Sequence, residues 1–257
     1  MKESIRDTAD FVKSLEKGLK VLNVFADAEG ALTLSEVAAR TNITRAAARR
    51  FLLTLTELGY TRLDGRNFKL TPKILTLSAA YLSSDSLPDV AVPFLTELTE
   101  QVHESASLSI LEGTDIVYVA RVLTQRIMSV NLQVGTRLPA CCTSMGRAQI
   151  AYLSEEELEP FLESANLVKR TPYTIDQYDN LRAEISRVKE QGFSLVNQEL
   201  EVGVISIAVP IFSKKGTVIA AVNVAGHATR ISPKEMVDNI LPLLQEAGKG
   251  IQSAYSN

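Results

Sequence analysis

The sequence predicts an α+β chain in two parts: an N-terminal winged helix-turn-helix, then an antiparallel sheet with helices packed against it. Three observations carry this reading. Within residues 33–70, a capped helix, a tight turn and a basic helix run directly into a short β-hairpin. The C-terminal part alternates short strands with helices in mixed order, the pattern of an antiparallel sheet with helices packed on it. The formal charge of −3 over 257 residues is unevenly divided. Residues 1–75 hold 13 Lys and Arg against 9 Asp and Glu, and residues 76–257 hold 14 against 21. A basic module is joined to an acidic one, so phosphate neutralisation and counterion release belong to the first.

Taken in order, Ser14 is placed to cap a first helix with Leu15, Leu19, Leu22 and Phe25 on one face, ending near residues 27–30. Thr33-Leu34-Ser35-Glu36 is a capping box, in which side chains at the first and fourth positions satisfy each other's backbone N–H groups. Leu34, Val37 and Ala38 form the apolar face that follows, Thr41-Asn42 closes the helix, and Thr44 caps the next one. That helix buries Ala48, Phe51, Leu52, Leu55 and Leu58 at i, i+3, i+4, i+7 spacing and ends at Gly59.

Its other face carries Thr44, Arg45, Ala46, Ala47, Arg49 and Arg50. Small residues let a helix approach a major groove closely, and arginine reaches guanine edges or phosphates. Ser35, on the preceding helix, joins them as a candidate DNA contact. The runs Tyr60–Leu63 and Phe68–Leu70 flank the turn Asp64-Gly65-Arg66-Asn67, a hairpin whose Arg62, Arg66 and Lys69 suit a wing on the phosphate backbone. The ordered combination points to double-stranded operator DNA as a partner.

Thr71-Pro72 starts a helix running to about Ser83, and Ser83-Ser84-Asp85-Ser86 reads as a hinge. The expected division is 1–71 for the DNA-binding domain, 72–85 for the linker helix and hinge, and 86–257 for an effector-binding and oligomerisation domain. In the last part we expect a helix at Leu87–Val102, and strands at Ser105–Leu111, Ile116–Val122 and Ile127–Leu132. Gly135–Ala140 reads as irregular, Thr143–Leu153 as a helix, and Ser154 with Glu157 as a capping box opening a helix to Ser164. A long helix spans Ile175–Gln191. Strands follow at Phe193–Asn197, Gly203–Phe212 and Val218–Ala225, with a turn at Lys214-Lys215-Gly216. Ser232, Pro233 and Glu235 open the last helix.

Composition excludes several classes. No apolar run approaches the ~20 residues of a bilayer span. The start, MKESIRDTADF, lacks an apolar signal core. The two cysteines, Cys141 and Cys142, form no disulfide framework and lack C-x-x-C spacing. A cytoplasmic location is expected, with no cofactor, no metal and no membrane partner. A G-x-S-x-G elbow, an H-E-x-x-H pair and a P-loop are all missing, so an enzyme acting on small organic acids is the weaker alternative. A redox- or metal-responsive regulator using Cys141 and Cys142 is the other.

Gly135–Ser144 offers a bendable backbone, small hydroxyl and thiol side chains, and free N–H groups at a helix start, which favour anions. Arg137 adds a possible bidentate contact to a carboxylate. Arg121 reads equally as a pocket residue or a solvated charge, Arg126 as solvated, and Tyr118 as core.

The segments SLEKGLKVLNVF, TRAAARRFLLTLTELGY, LTPKILTLS, VGTRLPACCTSMGRAQIAYL, QGFSLVNQELEVGVISIAVPIF and GTVIAAVNVAGHATRIS together resemble the IclR family of bacterial transcription regulators, over residues 14–252. The ITRAAARRFLLTL and LPACCTSMGR segments are most similar to the subgroup of PcaR, PcaU and PobR, regulators of protocatechuate, 4-hydroxybenzoate and β-ketoadipate catabolism. The resemblance implies a GAF-like effector domain, a homodimer or homotetramer on DNA, RNA polymerase as a further partner for an activator, and a small aromatic or dicarboxylic acid as effector. It places the effector among Gly135, Arg137, Cys141, Cys142, Thr143, Met145, Glu199, Glu201, Asn223 and Ala225. Many members carry Ser where this chain has Asn223 and Ala225.

Overall fold

A computed structural model describes residues 5–26, 28, 30–84, 87–124 and 132–255. The chain divides into two compact units, Met1–Ser84 and Asp85–Asn257.

In the first unit, α1 (Lys13–Asn23) precedes β1 (Leu32–Thr33), α2 (Leu34–Thr41) and α3 (Arg45–Glu57). The wing is β2 (Thr61–Asp64) and β3 (Asn67–Leu70), and β1 pairs with β3 to make a three-stranded sheet. The capping box forms as expected: Glu36 N–H donates to Thr33 Oγ1, and Thr33 N–H donates to Glu36 Oε2 at 2.7 Å. Asn42 ends α2 with φ 52°, a left-handed cap that asparagine tolerates. Thr44 Oγ1 accepts from Ala47 N–H at the start of α3. The core is Val21, Phe25, Leu32, Val37, Ala38, Ala48, Leu52 and Phe68.

Two expectations need correction here. Ser14 is not the cap of α1, because the cap lies two residues earlier, at Val12, and makes no side-chain hydrogen bond. The buried stripe of α3 is shorter than expected: Leu58, just past the end of that helix, is 53% exposed, beside Leu15 and Leu19 of α1, at 60% and 52%, in an apolar groove. Periodicity identifies a stripe without identifying what covers it. After the wing, Thr71 caps a 3₁₀ turn (Pro72–Ile74) that continues into α4 (Leu75–Ser84). Of the expected hinge, residues 85 and 86 lie outside the described residues, as do 27 and 29 at the expected end of the first helix.

Among the described residues, the second unit is a six-stranded antiparallel sheet between two helical layers. The strands are β4 (Ser105–Glu112), β5 (Asp115–Val122), β6 (Arg137–Pro139), β7 (Ser194–Asn197), β8 (Val204–Phe212) and β9 (Val218–His227), in the order β6-β5-β4-β9-β8-β7. One face packs α5 (Leu87–Val102) and α10 (Leu241–Tyr255) over Leu108, Ile207, Val209 and Val222. The other packs α6 (Ser144–Ile150), α7 (Glu155–Ser164) and α8 (Tyr178–Gln191) over Ile116, Ala208 and Ala221. Before α10 come α9 (Pro233–Glu235), opened by the Ser232–Glu235 capping box, and a π turn at Met236–Ile240.

Residues 127–131 of the expected third strand lie outside the described residues, and Leu132 is not in a strand. The segment Arg137–Pro139, expected to be irregular, is instead an edge strand. It pairs with Asp115–Val117 of β5, and that pairing imposes an extended backbone that local propensity does not signal. The long helix begins at Tyr178 rather than Ile175, because Gln177 is extended, with φ −112° and ψ 134°, and forms its N-cap.

Candidate functional site

The DNA-facing candidates are set out by local structure alone. Thr44, Arg45, Ala46, Arg49 and Arg50 are exposed on the N-terminal half of α3, Ala47 is half-buried, and Ser35 is exposed on α2. The opposite face of α3 buries Ala48 and Leu52 at 0% exposure, so the helix turns its basic side out. The wing is a different case. Arg62 and Arg66 are exposed, and Gly65, with φ 62°, makes the tight turn that places Arg66 at the tip. Lys69 Nζ lies 2.7 Å from Asp64 Oδ2 across the hairpin, which also holds the Asp64 carboxyl below its ordinary range. Lys69 therefore presents a partly neutralised charge.

The second site is a cavity between the sheet and the start of α6. Its floor follows from strand register. Ser107 on β4 faces Arg121 on β5 on one side and Asn223 on β9 on the other, which sets the three in one row across the sheet. Ala225, in the next row, lies between Ser105 and Ser206. Adjacent strands place opposite residues about 5 Å apart, so the row spans about 10 Å from Arg121 to Asn223. Cys142, Thr143, Ser144 and Met145 form the roof, and Tyr118, Leu132 and Leu200 close the sides.

The turn at Ala140–Cys142 can fold back this closely on α6 because residue 146 is glycine. A Cβ there would meet the Ala140 carbonyl oxygen at 2.1 Å. Thr143 caps α6, its hydroxyl accepting from Gly146 N–H at 3.3 Å and donating to the Pro139 carbonyl.

Three of the six described residues with unpaired buried polar side-chain atoms line this cavity, the others being Thr99, Ser194 and Asn197. Among the described residues, Arg121 Nε and Nη1, Ser144 Oγ and Asn223 Oδ1 are buried with no hydrogen-bond partner. Buried polar groups are ordinarily paired, and leaving one unpaired costs about 1–3 kcal/mol, more for a charged group. Three such residues around one cavity are the chemistry of a site that expects a polar ligand. The Arg121 guanidinium lies 5.9 Å from the centre of the Tyr118 ring, a cation–π contact that leaves its donors free. Burial lowers its pKa from an ordinary value so high that it stays protonated. Burial also pushes the Tyr118 phenol up to about 12, so it remains a neutral donor.

The expected effector residues divide into two groups. Cys142, Thr143, Met145, Asn223 and Ala225 line the cavity. Arg137 does not: it stands on edge strand β6, exposed, with Nη1 at 2.6 Å from Glu112 Oε2 and Nε at 3.3 Å from Asp115 Oδ2. Gly135, Cys141, Glu199 and Glu201 are not among the lining residues. Glu199 is buried and bound to Arg147, and Cys141 lies behind Cys142. The adjacent Cys142 thiol, with Arg147 and Arg170 nearby, holds the Cys141 thiol below its ordinary range, and Cys141 together with burial raises Cys142. Tyr118, expected as core, is 5% exposed within the hydrophobic cluster on this face of the sheet, and it also lines the cavity.

Sequence reasoning missed Ser105, Ser107 and Ser206, took in Ser144 only as the end of the Gly135–Ser144 segment, and left Arg121 open. A signal for the first two exists. In Ser105-Ala106-Ser107-Leu108-Ser109 the apolar residues alternate toward α5 and α10, and the serines stand on a face that is also buried. Hydroxyls on a buried strand face mark a polar cavity beneath a helix layer.

The chain matches the model for the IclR helix-turn-helix domain over residues 14–65 and that for the bacterial transcriptional regulator IclR C-terminal domain over residues 79–253. It is 45% identical over 243 residues to the Pca regulon regulatory protein of Pseudomonas putida, covering 94% of this chain and 84% of that relative. Among solved structures, a transcriptional regulator from Rhodococcus sp. RHA1 superposes with a TM-score of 0.82 at 46% identity, covering 95% of this chain and 98% of the other. A double mutant of the PobR inducer-binding domain from Acinetobacter, in complex with 3-hydroxybenzoic acid, matches with a TM-score of 0.60 at 33% identity, over 64% of this chain and 97% of the other.

Proposed function

Because the chain belongs to the IclR family of bacterial transcriptional regulators, and is therefore a DNA-binding regulator and not an enzyme, we propose that a small aromatic acid in the cavity under α6 controls its operator occupancy. The observation that carries this reading is the set of unpaired buried donors and acceptors on Arg121, Ser144 and Asn223. Arg121 takes the carboxylate, Ser144 and Asn223 take ring hydroxyls, and Met145, Leu132 and Leu200 enclose the ring. A bound acid satisfies groups that otherwise stay unpaired, which gives it more affinity for the ordered cavity than for any looser form, and a ligand shifts a population only through such a difference. Support for an aromatic acid comes from the 3-hydroxybenzoic acid bound to the PobR domain and from the similarity to the Pca regulon protein.

On the DNA side, Ser35, Thr44, Arg45, Ala46, Ala47, Arg49 and Arg50 enter the major groove, and Arg62, Arg66 and Lys69 meet phosphates. One recognition helix reads too few base pairs for a useful specificity ratio, so the protein acts as at least a dimer on a two-fold site. Among the described residues no helix is long and apolar enough to cross a membrane, and a cytoplasmic location suits the operator partner. If the bound form activates, RNA polymerase is a further partner.

The test is a thermal-shift screen of the full chain against protocatechuate, 4-hydroxybenzoate, 3-hydroxybenzoate and β-ketoadipate, followed by operator binding with and without the acids that stabilise it. A rise in melting temperature and an altered operator affinity with one aromatic acid is the expected result. Operator affinity indifferent to every acid overturns the proposal.

A further inference from the structure

A buried ion pair lies behind the cavity. Arg147 on α6 is 1% exposed. Its Nε donates to the Cys141 carbonyl at 2.7 Å, and Nη1 and Nη2 each donate at 2.6 Å to one carboxylate oxygen of Glu199. Glu199 Oε2 also accepts the Ile175 N–H at 3.0 Å. The Glu199 carbonyl accepts from Thr174 Oγ1 at 2.6 Å, and the Gln198 carbonyl accepts from Thr171 Oγ1 at 2.7 Å. One guanidinium thereby ties together the turn holding Cys141, helix α6, the loop at 198–203 and the segment at 171–175. The turn and α6 present Cys142, Ser144 and Met145 to the cavity, and the loop presents Leu200.

Such a pair is a poor source of net stability, because desolvating two charges costs about what their attraction returns, and apolar replacements of equal volume are often neutral. What a two-pronged arginine–carboxylate bond supplies is direction, since it fixes the plane of both groups. We infer that Arg147 and Glu199 are a positioning pair for the cavity. They set the separation between α6 and the 198–203 loop, and so the fit of the roof on the ligand, without touching the ligand. The inference rests on the reading of this cavity as the effector site.

Two variants of the full chain test it. Glu199→Gln keeps the shape and removes the charge. Arg147→Met with Glu199→Leu removes both charges and leaves Glu184, 4.0 Å from Arg147 Nη1, to its exposed partner Arg187, which guards against simple misfolding. Without ligand, amide hydrogen exchange in both should speed up at least tenfold over residues 140–150 and 171–177, while α5 and α10 keep wild-type rates. Exchange unchanged over 140–150, or accelerated equally in α5 and α10, overturns the inference, because a merely structural pair acts on the whole unit. In calorimetry with 4-hydroxybenzoate or 3-hydroxybenzoate, whichever binds the wild type, both variants should bind at least tenfold more weakly. A folded double variant that binds as tightly as wild type also overturns it. A wild type that binds neither acid counts against the cavity reading alone, and the exchange result still decides the role of the pair.

Discussion

The two functional regions of this chain use arginine in opposite ways. On α3 and the wing, Arg45, Arg49, Arg50, Arg62 and Arg66 stand in solvent, delivered by consecutive helix and hairpin positions. In the cavity, Arg121 is half-buried, stacked near Tyr118, with its Nε and Nη1 withdrawn from water and unpaired. An exposed cation acts through many screened contacts and depends on salt. A buried one acts through a single desolvated contact whose loss is large and local. Under the proposed function, the same residue type yields distributed affinity in one region and a single determinant in the other.

Removing Arg121 is the sharpest way to break this contrast. Arg121→Ala should weaken effector binding by about 2–5 kcal/mol, because a carboxylate would be left buried without its partner. Calorimetry on the full chain measures it, and wild-type affinity in the variant would move the carboxylate contact elsewhere. Arg45→Ala ranks next, with a loss of about 1–3 kcal/mol in operator affinity at fixed salt if the side chain reads a base edge. An equal loss on unrelated DNA would reassign it to phosphates.

Within the wing, Arg66→Ala should weaken specific and non-specific DNA alike and lower the salt slope by about one unit. Lys69→Ala should do less, since Asp64 already holds its charge, and salt titrations of the two variants side by side decide the order. Arg137→Ala should have the smallest effect. Its pairs with Glu112 and Asp115 are exposed and worth about 0–1 kcal/mol of stability, and effector affinity should stay at wild type. A large loss of effector affinity in Arg137→Ala would return this arginine to the site.

What the sequence determined by itself is whatever depends on neighbours within a turn or two of helix or hairpin. The boxes Thr33–Glu36 and Ser232–Glu235, the cap at Thr44, the turn at Gly65 and the basic face of α3 involve residues two to five positions apart, so their order in the chain is their order in space. The serines at 105 and 107 were legible in principle by the same logic, as polar residues alternating on a strand whose both faces are buried.

The choice between Arg121 and Arg137 was not legible. Both stand on strands, and Arg137 lies nearer in sequence to the roof at Cys142–Met145. Only the strand order β6-β5-β4-β9 decides between them: it sends Arg137 to the sheet edge beside Glu112 and Asp115, and sets Arg121 in a row with Ser107 and Asn223. The Arg147–Glu199 pair, 52 residues apart, has the same origin. Strand order and ion pairs across such separations are fixed by how whole layers bury their apolar faces together, and no local pattern encodes which polar side chains that burial brings face to face.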